Sequence, residues 1–212
     1  MNSGALSLLR EAAEWRLIGV LFECPREDWQ AQVVAMAKEV SDADLKAAAE
    51  AARGEAGEGL YHTIFGPGGP AAPREVSHRE TLQPGYLLGE LAAYYRAFAY
   101  QPATLEPPDH VAIETGFVAY LRLKQAYAEF RGDANQASIV HEAAVRFLAE
   151  HINTLAEPLA MGLAASGISY LSRTADALLK RAGPRRQLPD EKYQPAQASF
   201  SQAACSCSAE DE

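Results

Sequence analysis

Apolar residues recur along most of this chain at intervals of three or four, the spacing that gives a helix one apolar face, and no segment alternates convincingly with period two. From Ala5 to Phe22 the stripe runs Leu6, Leu9, Ala13, Leu17 and Leu21. Pro25 disfavours helical geometry at Cys24, so a first helix is predicted to stop there. Trp29, Val33, Met36 and Val40 form a second stripe. Ser41 with Asp44 has the form of a capping box, opening a third, alanine-rich helix to about Arg53. Trp15 and Trp29 fall within these stripes and are assigned to the core.

Gly54, Gly57 and Gly59 interrupt the pattern ahead of Tyr61–Phe65, which has room for about two turns before Gly66-Pro67-Gly68-Gly69-Pro70 ends it. The stretch from Gly66 to Gly85 is longer than most connections in compact domains, a length typical of functional or disordered loops. Tyr86 to Tyr100 and the segment opened by Pro108 are predicted as two central helices. After Gly132-Asp133, a helix carrying Ile139, Val140, Phe147, Leu148, His151 and Leu155 is expected to end before Pro158. Pro158 then opens the last helix, which runs to about Ala182, with Gly162 and Gly167 permitting close packing or a bend. Gly183-Pro184 ends it, and the polar, proline-bearing remainder reads as a flexible tail. The prediction is all-α: a single helical domain of about seven to eight helices over residues 4–182, with a flexible tail over 183–212.

Composition narrows the function. A chain of 212 residues with 48% hydrophobic content can build one sizeable core. A formal charge of -9 disfavours nucleic acid, whose binders neutralise phosphates with Lys and Arg, and favours a basic partner. Cys24, Cys205 and Cys207 supply no disulfide framework, which fits a reducing compartment. Arg10, Glu11, Glu14 and Arg16 interrupt the first apolar stripe, and no later run suits a membrane span, so a soluble cytoplasmic protein is expected.

The candidate chemistry is sparse. Gly66-Pro67-Gly68-Gly69 lacks the Lys-Ser/Thr and preceding strand of a phosphate loop. Glu75 and His78 have the Glu-x-x-His spacing of di-metal bundles, but Pro73 argues against a helix there. His110 and Glu114, or His141 and His151, could share helix faces, yet further ligands are lacking, and Cys205-Ser206-Cys207 offers only two. No metal, no cofactor and no catalytic set are assigned, so the chain is expected not to be an enzyme. The informative stretch is Glu106-Pro107-Pro108-Asp109-His110. A helix starting at Pro108 would carry Asp109 and His110 in a polar, exposed first turn, with His110, Glu114 and Phe117 along one face as a peptide-binding edge.

Three stretches in this order resemble the TorD/DmsD/NarJ family of redox-enzyme (molybdoenzyme) maturation chaperones: Tyr61-x-x-Ile64-Phe65 with Gly66-Pro67, the Glu75-Val76-Ser77 loop, and Glu106 to His110 followed by Glu114 and Phe117. Together they span about Leu60 to Tyr127. His78 stands where the family often has an aromatic after its serine-valine pair. The resemblance implies an all-helical cytoplasmic chaperone that binds the twin-arginine signal peptide or the apo catalytic subunit of a molybdenum oxidoreductase, assisting cofactor insertion and delaying export. It implies a client-peptide site of Tyr61, Ile64, Phe65, Ser77, Glu80, Glu106, Pro108, Asp109, His110, Glu114 and Phe117. The chemistry agrees: two guanidiniums beside an apolar segment call for carboxylates such as Asp109, Glu106, Glu114 and Glu80 beside an apolar groove of Phe65, Phe117, Tyr94 and Leu91. On that reading, Asp109→Ala and His110→Ala weaken client binding and leave the fold largely intact. A monomer or a domain-swapped dimer through the long loop is expected, and the competing classes are a helical metal-binding enzyme and an unrelated helical adaptor.

Overall fold

The computed structural model describes residues 3–79, 83–102 and 104–183. In chain order its α-helices are α1 (Ser3–Leu21), α2 (Trp29–Glu39), α3 (Ala43–Glu55), α4 (Glu58–Phe65), α5 (Pro84–Ala97), α6 (Val111–Arg131), α7 (Ala134–Phe147), α8 (Asn153–Ala164) and α9 (Ser169–Ala182). A π turn over Leu148–Ile152 joins α7 to α8 without a break, so the described residues form eight helical rods, within the expected number. One 3-10 turn, Glu75–His78, lies in the long connection between α4 and α5. Among the described residues there is no strand, only an isolated bridge between Arg74 and His110. The expected tail lies, beyond Gly183, outside the described residues.

The axis of the molecule is α1 lying along α6, with α7 beside α6, α3 against α9 and α8 against α9. Gly19 permits the first approach: a Cβ there would come within 2.9 Å of Thr115 Oγ1 and 3.0 Å of the Ala112 carbonyl. Thr115 satisfies its own hydroxyl by donating to the Val111 carbonyl at 2.6 Å, so the crossing buries no orphan donor. Both tryptophans are core residues as predicted, and Trp29 Nε1 donates to the Val20 carbonyl at 2.6 Å. Ionic contacts tie the ends together: Arg181 reaches Glu14 and Asp42, both at 2.9 Å. Glu55 of α3 caps α9 from outside, accepting from Ser169 Oγ at 2.6 Å and the Tyr170 N–H at 3.0 Å.

Several local expectations are corrected. The α3 cap is Asp42, which accepts from the Asp44 and Leu45 N–H groups, rather than Ser41. α5 is less central than expected: it meets the core through side chains, Leu87, Leu91 and Tyr95, with Tyr94 and Tyr95 packed on Phe117 and Phe147, and not through close backbone packing along a neighbouring helix. Pro158 opens no helix but sits inside α8, and the expected last helix is two, separated where Gly167 takes φ +72°. A proline lacks only one N–H, and a rod already packed against α9 tolerates that loss without ending. His141 and His151 share no face, because His141 is exposed and His151, within the π turn, is wholly buried.

Candidate functional site

The connection from Gly66 to Arg79 is clamped onto the start of α6 by backbone and charge together. Val111 N–H donates to the Pro73 carbonyl and Glu75 N–H to the Asp109 carbonyl, at 2.9 and 2.8 Å. Asp109 accepts from Arg74 Nε at 2.9 Å and Nη2 at 2.8 Å, a two-pronged pair, and from the Val76 N–H at 3.3 Å. On the α5 side, the Tyr95 hydroxyl donates to the Pro108 carbonyl at 2.8 Å. The helix therefore begins at Val111, with His110 as its cap: Nδ1 accepts from the Ala112 N–H at 3.1 Å. Asp109 and His110 are 0% and 1% exposed, which overturns the expected polar, exposed first turn.

His110 continues the chain of hydrogen bonds outward. Because Nδ1 accepts, the neutral ring carries its proton on Nε2, which donates to the Tyr61 hydroxyl at 3.1 Å. Tyr61 in turn donates to Glu106 Oε1 at 3.2 Å. Burial pushes the His110 pKa down to about 4; Asp109 pulls it up and Arg74 presses it down again, so the ring is neutral at pH 7. Burial, with Glu106 beside it, also raises Tyr61 far above a free phenol, which keeps its proton in place to donate. Glu106 is the outer end of this relay: its side chain is 18% exposed, and Leu105 next to it is 86% exposed.

A second, wholly internal cluster lies behind the clamp. Glu75 accepts from Arg79 Nε at 2.7 Å and from Nη2, and its other oxygen accepts from His151 Nδ1 at 3.0 Å. Arg79 also reaches the Glu150 carbonyl in the π turn. Glu114 is fully buried and no N–H or hydroxyl donates to either of its oxygens; its neighbour is the Glu75 carboxylate, to which the protonated acid can donate, and His151 Nε2 has no partner. Burial first, and then the charges of Glu75 and Asp109, raise the Glu114 pKa well above the usual carboxylate range. Phe117 is 0% exposed at the centre of a ring cluster, 4.8 Å from Phe147, 5.0 Å from Tyr95 and 5.3 Å from Tyr100. Glu114, Phe117 and Leu91 thus offer nothing to solvent, and no groove of Phe65, Phe117, Tyr94 and Leu91 exists.

The remaining predicted site residues are not brought to one surface. Tyr61 and Ile64 of α4 are buried, Phe65 is half-buried against Phe22 and Tyr61, and Ser77 and Pro108 are exposed. Glu80 lies outside the described residues. His78 bonds the Ala72 carbonyl at 2.9 Å, so the Glu75-x-x-His78 spacing brings no ligand pair together on a helix. Ligand atoms of Glu90, Glu150 and His151 lie within 4.8 Å of one another, but Glu150 is already engaged by Tyr94 at 3.0 Å and Arg146 at 3.4 Å. Sequence reasoning missed the roles of Arg74, Arg79 and His151. Only the density of charge in 74–80 marked the first two, and nothing local marks a histidine paired with a glutamate 76 residues away.

The chain matches the family model described as nitrate reductase delta subunit over residues 26–160, more than half its length and including the whole clamp. No curated protein matches. No solved structure matches. No described helix is long and apolar enough to cross a membrane.

Proposed function

The chain belongs to the nitrate reductase delta subunit family, whose members are molybdoenzyme maturation chaperones and not catalysts, and from that premise we propose that it binds the twin-arginine leader of an apo molybdenum oxidoreductase in the cytoplasm, assisting cofactor insertion and delaying export. The observation that carries this reading is Glu106. It is a partly exposed carboxylate held in place by a buried relay through Tyr61 and His110, next to the exposed Leu105 and Pro108. A guanidinium meeting a carboxylate already fixed loses less ordering entropy on binding, and an apolar neighbour suits the segment that follows the arginine pair. In this reading Glu106, Pro108, Ser77 and the edge of Phe65 touch the client. Tyr61, Ile64, Asp109, His110, Glu114 and Phe117 hold the rim in shape.

A second surface supports capture of the mature subunit as well. The depression between α5 and α7 is lined by Tyr94, Phe98, Ile139 and Ala143, with Glu142 and Arg146 beside them. Calorimetric titration with a twin-arginine leader peptide separates the two. Glu106→Gln keeps the acceptor for Tyr61 but removes the charge, and is expected to weaken the Arg-Arg leader by about tenfold or more, the loss of a charge-assisted contact worth about 1.5–3 kcal/mol. A Lys-Lys leader should bind less tightly to the native protein. Equal affinity for both leaders, or for both proteins, rejects the leader reading. Loss of apo-subunit capture in Ile139→Asp with leader binding intact assigns the depression to the mature subunit.

A further inference from the structure

We propose that Cys24, Glu58 and His62 form a binding site for one divalent transition-metal ion of the zinc class, an assignment independent of what the client is. Cys24 comes from the connection between α1 and α2, which is held by two successive turns: Phe22 N–H to the Gly19 carbonyl at 3.1 Å and Glu23 N–H to the Val20 carbonyl at 3.0 Å. Glu58 and His62 stand four residues apart on α4, hence on one face. The thiol sulfur, a carboxylate oxygen and an imidazole nitrogen all lie within 4.8 Å of one another, and His62 Nε2 is 3.8 Å from Glu58 Oε1. A tetrahedral centre with zinc–nitrogen and zinc–oxygen bonds of about 2.0–2.2 Å sets those two atoms roughly 3.3–3.5 Å apart, so the nitrogen–oxygen pair at 3.8 Å closes by a few tenths of an ångström on an ion, and the sulfur by up to about 1 Å.

The ordinary alternative is an exposed Glu–His pair one helical turn apart, an arrangement worth a few tenths of a kcal/mol. It gives no reason for a thiol to face the pair. Cys24 is 7% exposed, whereas the side chains of His62 and Glu58 are 64% and 69% exposed. The sulfur is therefore preorganised by the fold, and the other two ligands can close on an arriving ion from the solvent side. The donor set of one thiolate, one imidazole and one carboxylate suits zinc or cobalt and not calcium or magnesium, which require oxygen. Three protein ligands leave the fourth position to water or to a group brought by a partner. Arg26, which lies close to the thiol, is itself exposed and can turn into solvent when a cation enters.

The test is a cobalt(II) titration of the full chain carrying Cys205→Ser and Cys207→Ser, so that Cys24 is the one thiol present, followed by displacement with zinc. One equivalent of cobalt is expected, with the visible bands of a tetrahedral ion and thiolate-to-metal charge-transfer absorption. Cys24→Ser abolishes the charge-transfer band. His62→Ala, at an exposed position where folding is not at risk, weakens binding at least about a hundredfold, the upper end of the loss seen when only an outer-shell partner is removed. No saturable cobalt spectrum, a spectrum unchanged by His62→Ala, or one present in the native chain but absent from the Cys205/Cys207 variant would each overturn the site.

Discussion

His110 and Glu114 titrate against the fold in opposite directions. The folded pKa of His110, about 4, lies below its ordinary 6.5, so between these values the unfolded chain binds the extra proton. Stability from this residue is fully present above about pH 6.5 and falls as pH drops towards about 4, by on the order of 3 kcal/mol. Glu114 is raised above 4.5, so its contribution is present below that pH and declines as pH rises through the folded value. Thermal melts of Glu114→Gln against the native protein are expected to diverge in the variant's favour as pH rises. His110→Asn, which preserves a capping acceptor, should flatten the acid limb; parallel acid limbs would clear His110 of that role. Asp109 belongs to the same argument. Its side chain is 0% and that of Arg74 40% exposed, so Asp109→Ala should cost about 2–4 kcal/mol, somewhat less than the loss of a fully buried pair because water can reach Arg74. A denaturant melt measures it, and a variant as stable as the native protein would show that the clamp is not held by this pair. The exposure on which Asp109→Ala and His110→Ala were expected to leave the fold largely intact is absent, so both are expected to destabilise it, and the proposed client binding is better examined through Glu106.

Among elements, contact is closest where a glycine admits a neighbouring backbone. A Cβ on Gly162 of α8 would stand 2.5 Å from the Pro70 carbonyl of the long connection, and one on Gly19 would press α1 off α6. Gly162→Ala removes a helix-weakening glycine and so would stabilise an isolated α8, but overpacking against rigid backbone dominates. A net loss of about 1–3 kcal/mol is expected in thermal melts. A gain in stability would show that the connection yields freely to α8. Helical periodicity marked the helical stretches but misplaced the break between α8 and α9, and it could not show that the connection covers α8, because contact between a loop and a remote helix leaves no periodic trace. Pro158 misled for a related reason: a rule about isolated helices was overridden by a rod packed along its length.

For the whole molecule, the sequence beyond Gly183 lacks the apolar density of the rest, and a chain ended there is expected to melt within a degree or two of the full protein. A drop well beyond that would give residues 184–212 a share in the core. The all-α class, the positions of the rods up to α7, the buried tryptophans and the family resemblance carried by Tyr61, Glu75 and Glu106 to His110 were all legible in the sequence. Each depends on local spacing or on motifs read as a string. What only the tertiary structure decided is which way the motif faces. Pro-Pro-Asp-His has every mark of an exposed helix start, yet Arg74 from 35 residues upstream neutralises Asp109, and Tyr61 from 49 residues upstream completes His110. With those partners two polar side chains can be buried; without them the desolvation penalty would hold them at the surface. A sequence records that the charges exist, but only folding brings opposite ones together, and that pairing turned the expected contact surface into the frame on which Glu106 is held.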